Sequence, residues 1–192
     1  MFRSKQIVFN RRIGIYYTLI FLLCLGMALL QPPWTLLLLW PALSMICIVW
    51  GYWVIGPAVF RKNDGKIPLF SKVLLAPYLI GQQLYLGYYF NKCRPWDEPL
   101  PHLLIGRLLS TEESQLAIKK GVSAVVDMTA EFSESLPFRK LAYLNLQTLD
   151  LTAPHPACLQ EGIRFIDKEI QTGKVYIHCK IGYSRSAALV GG

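Results

Sequence analysis

Hydrophobic positions are laid out in two different ways along this chain. Across residues 13–60 no side chain is charged, a run too long for one buried helix. It breaks at residues 31–33, "QPP", where consecutive prolines remove backbone donors and fix a turn. The segments left, 13–30 and 34–60, each suffice for a hydrocarbon core that needs about 20 residues. They predict a transmembrane α-hairpin, with Pro41 as the place for a bend in the second span. Trp34, Trp50 and Trp53 suit interface positions, and Trp40 lies deeper. A cleaved signal peptide is the alternative for the first segment, but no small-residue cleavage site follows it and a second apolar span does. Residues 73–90 are uncharged too, yet Pro77, Gln82, Gln83 and several tyrosines dilute them. That composition favours a helix lying along the membrane surface over a third span.

Beyond residue 90 the pattern changes to short alternating pieces. Residues 93–101, "CRPWDEPLP", hold three prolines and read as a linker. "HLLIG" is a short apolar run. "STEESQLAIKKG" predicts a helix, with Ser110 and Glu113 spaced as a capping box and Gly121 as its terminator. "VSAVVDM" and "LAYLNLQTLD" predict strands. Leu159, Ile163, Ile166 and Ile170 recur at helical spacing in a helix ended by Gly173. "KVYIH" is a last strand running into Cys179. Strand, helix, strand, strand, helix, strand predicts an α/β domain with a largely parallel central sheet. The expected division is 1–60 for the basic N-terminus and hairpin, 61–98 for a juxtamembrane segment and linker, and 99–192 for the α/β domain.

Charge changes this picture in one respect. Residues 1–96 hold ten Lys/Arg against one acid, Asp64, whereas residues 97–192 hold ten against eleven. The formal net charge of +8 therefore belongs to the apolar half. No basic stripe with interleaved aromatics marks the globular half, which excludes nucleic acid as the expected partner. Arg3, Lys5, Arg11 and Arg12 precede the hairpin, and Arg61, Lys62, Lys66 and Lys72 follow it. Positive flanks stay cytoplasmic, so both ends and the α/β domain are expected inside, in a protein with two spans. The five cysteines, at 24, 47, 93, 158 and 179, form neither a disulfide framework nor a paired zinc pattern. Cys93 is juxtamembrane, where lipidation is the alternative to an idle thiol.

The candidate chemistry sits in "HCKIGYSRS", residues 178–186. In parallel sheets, sites form beyond the carboxyl ends of strands, and both Asp150 and Cys179 fall there. A thiol with an ordinary pKa of about 8.5 is mostly protonated at neutral pH. A tight loop between strand and helix, with inward N–H groups and Gly182 to permit the fold, favours the anion. Arg185 adds a planar cation able to hold two phosphate oxygens. A cradle that stabilises thiolate also binds a phosphate dianion.

Cys179, five intervening residues, Arg185 and then Ser186 make this segment resemble the C-x5-R signature of the cysteine-dependent protein tyrosine and dual-specificity phosphatases. "TLDLTAPHP" resembles their acid-bearing segment, with Asp150 twenty-nine residues before Cys179. "IGRLLS" and "GVSAVVDMTAE" resemble the domain's opening strands, and the hairpin resembles that of bacterial membrane-attached members. The resemblance implies Cys179 as nucleophile, Arg185 and the loop Lys180, Ile181, Gly182, Tyr183 and Ser184 as the phosphate cradle, Asp150 as general acid and base, and Ser186 as hydrogen-bond donor to the sulfur. It implies no metal and no organic cofactor.

His178 reads equally as a satisfied strand-end histidine or a tuner of the thiol, and Asp127 reads as structural. His102, His155 and Cys158 show no ligand spacing. The chain ends seven residues after Arg185, where the family continues with helices, so a domain lacking its C-terminal helices is expected. Two substrate classes fit: a phosphorylated protein, or a phospholipid headgroup such as a phosphoinositide or phosphatidylglycerol phosphate. Lys180 matches the lipid-directed members, and Tyr183 departs from them. A truncated pseudophosphatase that binds phosphorylated partners is the non-enzyme alternative.

Overall fold

A computed structural model describes residues 10–30, 33–90 and 92–191. Arg3, Lys5, most of the "QPP" turn and Gly192 lie outside the described residues. The first uncharged run forms helix α1, Arg11–Leu30, which at 1.5 Å per residue is about 30 Å long. Together with the stretch Pro33–Phe60 it supplies two helical segments long and apolar enough to cross a bilayer. Their outward faces are Leu, Ile, Tyr and Trp.

The second segment is not one regular helix. A 3-10 turn, Pro33–Leu38, leads into α2, Leu39–Trp50, followed by a π turn over Gly51–Ile55 and a 3-10 turn over Gly56–Phe60. Pro41 sits in the first turn of α2, where its missing N–H deprives no intrahelical bond. The wider departure from α geometry is instead at Gly51–Phe60, where Gly56 has φ 62° and Pro57 follows.

Residues 73–90 are also divided. Helix α3, Leu69–Leu74, and helix α4, Ala76–Phe90, meet at Leu75, and Pro77 lies in the first turn of α4. The Trp40 indole donates to the Val73 carbonyl at 3.2 Å, fastening this junction to α2. Met45, Ile48, Tyr52, Phe60, Ile67, Leu75 and Tyr78 form one buried cluster with Ala130 and Leu149 of the α/β part. The hairpin and the α/β part thus share a core.

The sheet has five strands: β1 Trp96–Leu100, β2 Leu103–Gly106, β3 Val122–Thr129, β4 Ala142–Thr148 and β5 Lys174–His178. Their order is β1-β2-β5-β3-β4, parallel except for β1 against β2. The expected linker therefore contains a strand. Pro99 is tolerated because β1 is an edge, where one side of the backbone needs no ladder partner. Helix α5, Thr111–Lys119, begins with the expected capping box of Ser110 and Glu113. Helix α6, Pro156–Glu169, ends before Gly173, and α7 spans Arg185–Val190.

From Ala124 onward successive residues of β3 face opposite sides, a register shift after Val122 puts that residue on the side of Val125, and both sides are covered. Ala124, Val126 and Met128 pack with Leu146, Ile177 and the apolar stripe of α6. Val122 and Val125 pack with Ala117, Phe138 and Tyr176 beneath α5. Central β5 lies between β2 and β3, so its carboxyl end opens into the crevice where β4 also ends.

Candidate active site

Strand β5 delivers Cys179 to that crevice. His178 pairs in register with Gly106 of β2 and Asp127 of β3, so the turn that follows is gripped from both sides. Leu108 N–H donates to the Lys180 carbonyl at 3.2 Å. Gly182 has φ 84°, and a Cβ there would lie 2.8 Å from the carbonyl carbon of Gly106. The loop closes only with glycine at that point.

Cys179 is buried, and the Ser186 hydroxyl donates to its sulfur at 3.4 Å. Burial pushes the thiol pKa up. The Arg185 charge, the Ser186 hydroxyl and the backbone N–H groups of Ser186 and Gly182 outweigh it, holding the thiol below its ordinary value. The loop therefore favours thiolate.

Arg185 is almost fully enclosed. Its Nη2 and Nη1 meet Glu131 Oε1 and Oε2 at 2.8 and 3.1 Å, and Nη1 also donates to the Thr148 carbonyl at 2.8 Å. Burial alone would weaken its charge, but Glu131, then Asp150 and Cys179, hold it firmly protonated. Asp150, two residues past β4, joins the two loop cations: Oδ1 lies 3.1 Å from Arg185 Nη2 and Oδ2 lies 3.1 Å from Lys180 Nζ. Cys179, Arg185, Ser186, Lys180 and Asp150 thus lie together at the carboxyl end of the sheet. Ile181 is half-buried against Leu86, Leu108 and Phe132, while Tyr183 and Ser184 are exposed. The Tyr183 hydroxyl lies 3.4 Å from Cys93 Sγ.

Beneath the loop runs a buried ionic layer. His178 Nε2 meets Glu134 Oε2 at 2.6 Å. Burial lowers the imidazole pKa, but Glu134 and Asp127 more than reverse this and lift it to about 9. Lys62 Nζ contacts Asp127 Oδ2 at 2.5 Å and the Thr129 carbonyl at 2.9 Å. Asp127, Glu134 and His178 have ligand-type atoms within 4.8 Å of one another. Their charge is met by the Lys62 ammonium and the imidazolium proton, which makes this an ion-pair network and not a metal cradle. Asp127 is structural in this sense.

No protein-family model matches the chain. A search of curated sequences finds human phosphatidylglycerophosphatase and protein-tyrosine phosphatase 1, 36% identical over 133 residues, covering 62% of this chain and 66% of that protein. Mouse protein phosphatase Slingshot homolog 3 is 35% identical over 95 residues, 47% of this chain and 14% of that protein. The chain is similar to phosphatases. It spans 56% to 66% of the length of the phosphatidylglycerophosphatase relatives. Among solved structures, a DUF442 protein from Shewanella putrefaciens aligns with TM-score 0.44 and 18% identity over 54% of this chain and 70% of that one.

Several site residues escaped the sequence reading. Glu131 follows β3 by two positions, the same strand-end signal that marks Asp150, and was legible in principle. Gln82 and Tyr85 of α4 were not. Lys180 Nζ donates to Gln82 Oε1 at 2.5 Å and lies 4.0 Å from the Tyr85 ring centroid. Helix α4 therefore reaches the loop that follows Cys179.

Proposed function

We propose that this chain is a membrane-anchored phosphomonoester hydrolase of the tyrosine and dual-specificity type, with its phosphatase domain at residues 99–192 held on the cytoplasmic face by the hairpin. One observation carries the reading: a hydroxyl and two backbone amides converge on Cys179 Sγ and, with the charge of the buried Arg185 guanidinium, depress its pKa. A structural cysteine has no use for that arrangement.

The thiolate attacks phosphorus and forms a phosphocysteine. Arg185 and the amides of residues 180–185 take the equatorial oxygens. The dianion replaces Asp150 as the acceptor at Arg185 Nη2, leaving the carboxyl beside the ester oxygen. Asp150 in its acid form protonates that oxygen, then as carboxylate draws a proton from the attacking water. Ser186 donates to the departing sulfur. No metal or organic cofactor enters this chemistry.

A phospholipid monoester is the second reading of the substrate. Leu69, Phe70, Val73, Ile80 and Leu84 leave an exposed apolar face on α3 and α4, and α4 contacts Lys180 through Gln82. A groove of about 320 Å³ beside them is lined by Lys72, Gln83 and Glu131. A curated relative bears the name phosphatidylglycerophosphatase. A lipid lying along α4 would present its headgroup to the loop.

The test is hydrolysis by detergent-purified protein of an aryl phosphate, a phosphotyrosine peptide and phosphatidylglycerol phosphate in mixed micelles, beside Cys179→Ser. Turnover abolished in the serine variant is expected, and the preferred ester decides the substrate class. Equal turnover by both proteins would sink the thiol mechanism.

A further inference from the structure

The loop bearing Asp150 is held by the membrane hairpin as well as by its own domain. The Tyr52 hydroxyl donates to the Asp150 carbonyl at 2.8 Å. The Asn10 side-chain amide donates to the Leu151 carbonyl at 2.8 Å. Leu149, one residue earlier, is buried in the cluster formed with Met45, Ile48 and Tyr52. Three consecutive residues, 149 to 151, are therefore seated on the second apolar segment and on the residue that precedes α1.

The loop has reason to need this. Leu151 adopts φ 56°, a left-handed conformation that a branched side chain disfavours, and its side chain is exposed. Within the loop, the Leu151 N–H donates to Asp150 Oδ1 at 3.1 Å and the Thr152 N–H and hydroxyl both turn back to the Leu149 carbonyl. The carbonyls of 150 and 151 are left for the hairpin to satisfy.

Tyr52 is well fixed for the task. It lies in the π turn after α2, is 2% exposed, and its ring sits 5.2 Å from that of Tyr17 in α1. Tyr17 in turn stacks edge-on with Tyr78 of α4 at 5.8 Å. Asn10 accepts the Ile13 N–H at 3.4 Å at the start of α1, so both donors are tied to the seating of the helices.

We propose that Tyr52 and Asn10 are positioning residues for the acid: the membrane hairpin sets the place of Asp150 relative to Cys179, and proton transfer to the leaving group depends on it. The proposal rests on the phosphatase reading for the role of Asp150. General-acid catalysis matters far more for an alkoxide leaving group than for a nitrophenolate, which is a much weaker base. The dependence should therefore follow the leaving group.

The experiment uses the full chain in detergent, comparing wild type, Tyr52→Phe and Asn10→Ala, with a thermal transition to show that each variant folds. Tyr52→Phe keeps the ring packing and removes only the donor. For nitrophenyl phosphate, kcat/KM should stay within about threefold of wild type. For an alkyl phosphate it should fall about tenfold or more, a fraction of the 10²–10⁴ that a positioned acid supplies. Amide hydrogen exchange at residues 150–153 should quicken in both variants. An equal fall on both esters, or no fall on either, overturns the proposal.

Failure of the underlying reading shows differently. Wild-type protein inactive toward both esters defeats the phosphatase reading. In that event loop exchange decides the tether alone: faster exchange in Tyr52→Phe supports it, and unchanged exchange overturns it.

Discussion

Glu131 holds both terminal nitrogens of Arg185, at 2.8 and 3.1 Å, with both side chains almost closed to solvent. This pair fixes the plane of the guanidinium, so that only the contact between Nη2 and Asp150 is open to exchange. In the proposed hydrolysis the substrate would take the place of Asp150 there.

Glu131→Gln should therefore act on chemistry and on stability together. Removing one charge of a buried pair typically costs roughly 3–5 kcal/mol, and the surviving contact with Asp150 argues for the lower end. A guanidinium free to tilt should reduce kcat/KM by about 10²-fold. Steady-state kinetics and urea unfolding of the variant check both effects. Unchanged kinetics would mean that the Thr148 carbonyl suffices to aim Arg185.

Lys62 offers a test of the ionic layer that leaves the reacting groups in place. Its ammonium bonds Asp127 and Thr129 from outside the sheet, with both side chains of the ion pair inaccessible to solvent. Lys62→Met should lower unfolding free energy by roughly 3–5 kcal/mol, because Asp127 is left charged and buried. Adding Asp127→Asn should recover much of the loss. A double variant no more stable than the single one would show that Lys62 matters through packing and not charge.

The contrast between Lys62 and Cys179 shows which parts of this protein were legible in its sequence. The loop from Cys179 to Ser186 is contiguous, so Cys179, Gly182, Arg185 and Ser186 could be picked out together from their spacing. The parallel strands and α5 with its capping box were legible because periodicity and local caps are short-range signals. Partners brought from afar leave no such trace: Lys62 reaches Asp127 across 65 positions, and Gln82 reaches Lys180 across 98. Strand β1 was hidden by Pro99 within it and by Pro95 and Pro101 on either side, since prolines look alike in a linker and on a sheet edge. The π turn carrying Tyr52 lies inside a uniformly apolar run, where composition favours a regular span.

Gly182 makes a sharper test of the loop geometry than the reacting residues do. A methyl group there would meet the Gly106 carbonyl carbon at 2.8 Å and its oxygen at 3.0 Å, at a φ of 84° that alanine resists. Gly182→Ala should reduce kcat/KM by at least about 10²-fold and raise the thiol pKa, since the amide of residue 182 would no longer face the sulfur. Iodoacetamide alkylation rate against pH reads the thiol directly. Rapid alkylation at neutral pH, as in wild type, would show that the loop absorbs the methyl group.

The ionic layer also fixes how stability should vary with pH. His178 has its pKa raised from 6.5 to about 9, so its contribution is fully present below about 6.5 and is lost as pH rises through 9. Asp127 is lowered from 3.8 to about 2, where the charges of Lys62 and His178 overcome its burial. Its contribution is present above about 3.8 and is lost as pH falls through 2. Between these limits the two groups together give a plateau. Cys179, lowered from 9.0, works against His178 on the alkaline side, since its contribution disappears as pH falls. The clean comparison is therefore made in a Cys179→Ser background, with Tm followed from pH 5 to 10 for Glu134 and for Glu134→Gln. Without the Glu134 carboxylate at 2.6 Å, the imidazole loses its main stabilising charge and the alkaline decline should begin at lower pH. Coincident Tm curves for the two proteins would place the proton that stabilises the fold somewhere other than His178.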